Sequence, residues 1–85
     1  MKTNNIVEPP VAFVQYLNGL VESKLLDKDG SSYKRFQRRS IHTITLGENT
    51  FTVMEQERMR PSERFQSEYS YSDASLNMLK TVFGA

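Results

Sequence analysis

Residues 40–59, SIHTITLGENTFTVMEQERM, decide the fold. On both sides of Gly47-Glu48-Asn49 the chain alternates with period two and is rich in Ile, Thr, Val and Phe, the pattern of two paired strands. With Gly47-Glu48 as a two-residue type II′ turn, Leu46 falls opposite Asn49, Ile44 opposite Phe51 and His42 opposite Val53. Ile44, Leu46, Phe51 and Val53 then share one face, and Thr43, Thr45, Thr50 and Thr52 line the other. A three-residue loop containing Gly47 would shift these pairs.

Downstream, Pro61 ends the second strand, and RFQSEYSYS (64–72) alternates again. Phe65, Ser67, Tyr69 and Tyr71 fall on one face, Arg64, Gln66, Glu68 and Ser70 on the other. The polarity of this third strand suits a sheet edge. SDASLNMLKTVFGA (72–85) closes the chain as a short helix. Ser72 or Asp73 caps it, Leu76, Leu79, Val82 and Phe83 form its apolar stripe, and Gly84 follows its last turn.

Upstream, EPPVAFVQYLNGLVESKLLDKDG (8–30) reads as a helix, with Pro9 and Pro10 at its start, where a missing N–H is harmless. Val14, Leu17, Val21 and Leu25 fall at helical spacing, flanked by Phe13 and Leu20. Gly19 weakens this helix by about 1 kcal/mol relative to alanine. DKDGSS then turns the chain. Residues 1–8 read as a flexible polar tail and 9–85 as one domain. The expected fold is small α+β in the order α-β-β-β-α: a three-stranded antiparallel sheet with both helices packed on one face. That order resembles double-stranded-RNA-binding domains. Their lysine cluster at the start of the last helix has no counterpart in SDASLNMLK, so the resemblance covers element order alone.

The totals narrow the function. Eighty-five residues, 38% of them hydrophobic and 25% charged, suffice for one domain with a small core and exclude a wholly disordered chain. A net charge of +1 excludes a strongly basic nucleic-acid coat and an acidic nucleic-acid mimic, so any electrostatic recognition must be local. Cysteine is absent, which removes disulfides, thiol nucleophiles and thiolate metal sites. No apolar run approaches the roughly 18 residues of a membrane span, and NNIVEPPVAF is too broken for a signal peptide. The expected location is the cytoplasm.

Catalytic patterns are missing. His42 is the one histidine, placed at the rim of the apolar face, and reads as a partly buried structural residue. In DKDGSS, counting Asp27 as position one of a calcium loop, the twelfth residue is Arg38 instead of glutamate, and the glycine comes two residues early. Glu55 and Glu57 share a strand face near Arg58, Arg60 and Arg64, as in a solvated charge ladder. No phosphate loop, nucleophile elbow or zinc-binding helix occurs. The chain reads as a non-enzyme without cofactor or metal.

Two stretches remain as binding candidates. YKRFQRR (33–39) interleaves Lys34, Arg35, Arg38 and Arg39 with Tyr33 and Phe36, which suits nucleic acid or an acidic protein surface. Alternatively, Phe36 is a core anchor and the charges are its solvated surround. FQSEYSY (65–71) offers Tyr69 and Tyr71 as interface anchors, unless the helices cover them. The leading expectation is a regulatory adaptor or inhibitor that docks on a larger protein, one engaged with nucleic acid included. Direct nucleic-acid binding through 33–39 is the first alternative, and self-assembly through the tyrosine-rich edge strand the second.

Overall fold

The computed structural model describes residues 10–84, so the tail expected at 1–8 lies outside the described residues. Helix α1 (Val11–Glu22) leads into five strands, β1 (Asp27–Asp29), β2 (Ser32–Phe36), β3 (Ser40–Leu46), β4 (Thr50–Glu57) and β5 (Arg64–Ser70), and helix α2 (Asp73–Phe83) closes the chain. The strands form one antiparallel meander in the order β1-β2-β3-β4-β5. The α+β class stands, but the sheet has five strands, not three. The order α-β-β-β-β-β-α also ends the resemblance to double-stranded-RNA-binding domains.

Of the two additional strands, β1 comes from sequence expected to end the helix and turn the chain, and β2 from the start of YKRFQRR, which is assigned to no element in the sequence. α1 stops at Glu22 because Lys24 enters the left-handed region at φ 67°. Its N–H reaches the Val21 carbonyl at 3.0 Å and the Leu25 N–H reaches the Leu20 carbonyl at 2.9 Å, a complete Schellman motif. The reversal leaves Leu25 in solvent and swings Leu26 into the core. A tight hairpin follows, with Asp29 opposite Ser32 and Gly30-Ser31 between them. Gly30 takes φ 62° at the first central position, where such turns require glycine.

The turn of the central hairpin forms one residue further along than expected. Glu48-Asn49 is the loop, so Leu46 faces Phe51, Ile44 faces Val53 and His42 faces Glu55. The Gly47 N–H donates to the Thr50 carbonyl at 2.8 Å, and a Cβ at position 47 would stand 2.8 Å from that oxygen. Glycine at 47 therefore serves a close approach before the turn instead of forming the turn. A slip of two residues preserves the side-chain faces, because strand periodicity is two. Ile44, Leu46, Phe51 and Val53 remain together, and Thr45 faces Thr52 on the other side.

Both helices pack on the first of these faces. Phe13, Leu17 and Leu20 of α1, Leu79 and Phe83 of α2, and Leu26, Tyr33, Ile44 and Phe51 form one core. The Tyr16 hydroxyl clamps the helices together by donating to the carbonyls of Leu79 and Gly84. Ser72 caps α2 with a reciprocal capping box to Ser75, and Ser75 also donates to the Ser70 carbonyl at 2.8 Å, tying α2 to the end of β5. No helix covers the opposite face of the sheet among the described residues. None is long and apolar enough to cross a membrane.

A basic end of the sheet as candidate interaction surface

Antiparallel pairing brings the β2–β3 and β4–β5 connections to one end of the sheet, since Ser40 faces Glu57. The first connection carries Arg38 and Arg39, the second Arg58 and Arg60, and Arg64 opens β5. All five arginines are exposed. Glu57 and Glu63 lie at the same end, so the five arginines there outnumber the carboxylates around them.

The two connections are fastened to each other. The Arg58 N–H donates to the Arg39 carbonyl at 2.9 Å, and its guanidinium donates to the Gln37 carbonyl at 3.0 Å. The Arg58 guanidinium also lies 6.0 Å from the centre of the Phe36 ring, at the limit of a cation–π contact. Within the second connection, the Glu63 N–H donates to the Arg60 carbonyl at 2.8 Å, and the Arg60 and Glu63 side chains pair at 3.3 Å. Arg38, Arg39 and Arg64 have no ion-pair partner among the described residues.

Apolar groups accompany these charges. Phe36 lies on the uncovered face beside Ile41 and is 51% exposed, and Met59 is 87% exposed. Phe36 is therefore not the core anchor of YKRFQRR; that place belongs to Tyr33, which is buried and donates to Asn18 Oδ1 at 3.2 Å. The alternation of β2 makes the difference, because Tyr33 pairs with the core residue Ile44 while Phe36 pairs with Ile41 on the open side.

The same alternation divides the expected basic site. Lys34 lies on the open face with its ammonium 3.6 Å from Asp29. Arg35 points the other way, under α2, with its guanidinium 4.4 Å from the Phe83 ring centre and one N–H donated to the Val82 carbonyl at 3.2 Å. Burial lowers its pKa from the ordinary arginine value, and Glu55 and Tyr16 oppose that shift. Arg35 thus serves the packing of α2, whereas Arg38 and Arg39 face solvent beside Arg58, which in the sequence reads only as part of a charge ladder with Glu55 and Glu57. The signal for that grouping lay in register, which brings two loops some twenty residues apart to one place.

Tyr69 and Tyr71 are half-buried. Tyr69 stacks on Phe51 at 5.4 Å, Tyr71 meets Phe13 edge-on at 4.9 Å, and its hydroxyl donates to the Gly47 carbonyl at 2.8 Å. His42 meets Phe83 edge-on at 5.8 Å and lies 3.6 Å from Glu55, with only 11% of its side chain exposed. Its Nδ1 is buried without a partner among the described residues. Burial is the main cause that lowers its pKa, Arg35 adds to the shift and Glu55 opposes it. No group of side chains that could hold a metal ion occurs among the described residues. The chain matches no family model, no curated protein and no solved structure.

Proposed function

We propose that this protein is a non-enzymatic regulatory adaptor or inhibitor that docks the basic end of its sheet on an acidic surface of a larger protein. The observation that carries this reading is the composition of that end: exposed arginines interleaved with Phe36 and Met59, on two loops hydrogen-bonded to each other. Arginine, methionine and aromatic residues are enriched in protein interfaces and lysine is depleted. The planar guanidinium matches carboxylates in pairs of hydrogen bonds. Fastened loops also lower the ordering cost of association.

The half-exposed Phe36 ring favours a second reading. An aromatic on an open sheet face, flanked by cations, can stack a base while the arginines neutralise phosphates. One experiment decides between them. A photo-crosslinking residue is placed at position 36 in cells, with position 28 on β1 as control, and the covalent products are identified. The binding of each product to wild type and to Arg38→Glu/Arg39→Glu is then measured. A single protein captured from position 36, whose binding the charge reversal abolishes, supports docking on a protein. Capture of RNA or DNA supports the second reading. A complex bridging four phosphates would then show a log K against log salt slope of about −3.6. Capture of nothing specific to position 36 rejects both.

A further inference from the structure

The free edge of β5 is complementary to itself, and we propose that it pairs with β5 of a second copy of this chain to form a two-fold symmetric dimer. The hydrogen-bonding phase of the strand gives the starting point. The Glu57 N–H donates to the Glu63 carbonyl at 3.1 Å, and antiparallel bonding alternates along a strand. Residues 65, 67 and 69 therefore turn their backbone groups towards β4, while Arg64, Gln66, Glu68 and Ser70 turn theirs outward to an edge that no strand pairs among the described residues. A partner strand has a row of donors and acceptors waiting.

Charge sets the register. With the two-fold axis at Gln66, Arg64 of each copy stands directly opposite Glu68 of the other, giving two cross-strand ion pairs on the open face and Gln66 opposite its own copy. All three residues are exposed. On the helix side, the same register sets Phe65 opposite Ser67 of the other copy, between that copy's Phe65 and Tyr69. Phe65 is 75% exposed, and the small Ser67 leaves a gap between those rings. A groove of ≈ 190 Å³ opens there, with Val53, Ser67, Tyr69, Met78 and Val82 among its walls. Each Phe65 becomes a knob for the groove of the other copy.

The assembly closes at two. The interface is isologous and consumes the long edge, and the remaining edge, β1, is a three-residue Asp-Lys-Asp strand that resists pairing. The pairing takes Arg64 from the five arginines of the basic end and leaves Arg38, Arg39, Arg58 and Arg60 to the docking proposed above, so the charge reversal at Arg38 and Arg39 tests the docking without touching the dimer.

Sedimentation equilibrium of the wild-type chain and three variants provides the test. The wild type is expected to give twice the 9.8 kDa chain mass as concentration rises. Gln66→Pro removes an N–H that faces the free edge and leaves the β4 ladder intact, so the fold persists, checked by circular dichroism, while the dissociation constant rises about tenfold or more. Glu68→Arg sets like charges opposite each other and weakens the dimer, and Arg64→Glu/Glu68→Arg restores it by exchanging the partners. A wild type that stays monomeric at the highest soluble concentration overturns the proposal. So does a dimer that Gln66→Pro leaves unchanged, and a double exchange no tighter than Glu68→Arg overturns the register.

Discussion

At one edge of the sheet β1 runs for three residues, Asp27, Lys28 and Asp29, all exposed; at the other β5 runs for seven and leaves Phe65 in water. The Lys28 ammonium folds back to the Gly30 carbonyl at 2.7 Å and over the Tyr33 ring at 5.2 Å, closing off its own edge. β5 has no such cover among the described residues. Its attachment lies inward, through Tyr69 stacked on Phe51 and through Ser75 at its end. Short strands of mostly like charge keep an edge solitary, and a long strand whose opposite charges can pair with a second copy leaves an edge open to pairing. The two edges thus divide the work between finishing the domain and presenting it.

The largest way to break this contrast is to remove the anchor of β5. Phe51 is fully buried against Phe13, Tyr69 and Tyr71, and Phe51→Ala should cost about 3–5 kcal/mol in urea denaturation. A cost near 1 kcal/mol would mean that β5 is held by its ladder instead of by the aromatic group. The ladder has its own test, one residue from Gln66. Ser67 turns its N–H towards Val53, so Ser67→Pro should leave a ladder acceptor unmet and cost about 1–3 kcal/mol, well beyond Gln66→Pro. Equal effects of the two prolines would reverse the assigned phase and sink the dimer register with it.

β1 calls for a change of opposite sign. Lys24 holds a left-handed conformation at the position where helices prefer glycine, and its side chain is exposed. Lys24→Gly should therefore raise stability by about 1 kcal/mol, the relief of Cβ strain less the extra chain entropy of glycine. A lowered midpoint would show that the lysine stem contributes more than its backbone strain costs.

Lys24 also marks where the sequence stops being readable. Leu25 continues the helical spacing of Val14, Leu17 and Val21, so periodicity carried the helix past its real end; the buried residue is Leu26, and only the Schellman turn reveals that. β1 and β2 have too few apolar residues to show alternation, and Tyr33 and Phe36 look equally suited to the core until pairing with β3 assigns them to opposite faces. The central hairpin, β5 and α2 were legible because each carries a full period of its own pattern. The wrong turn at Gly47 did little harm, as a two-residue slip leaves every face intact. The basic end was half legible: Arg38 and Arg39 stood out, but the alliance with Arg58 and the departure of Arg35 depend on tertiary register.

The smallest expected effect belongs to the row that joins the two sides, Arg35, His42, Glu55 and Phe65, direct neighbours across β2 to β5. At its β2 end the row is sealed under Phe83, and at its β5 end Phe65 leaves it open. Burial, with Arg35 second, depresses the His42 pKa in the folded state, so the unfolded chain binds the proton first on acidification. Stability contributed by neutral His42 is then present above the unfolded value of about 6.5 and declines as pH falls through that value towards the folded pKa. His42→Leu removes this dependence, and with it a buried ring nitrogen that has no partner among the described residues. Urea midpoints measured from about pH 7 to about pH 5, where carboxylates change little, should fall more steeply for wild type than for the variant. Parallel slopes would mean that water reaches the imidazole along the open β5 end, and that the row is less sealed than its β2 side suggests.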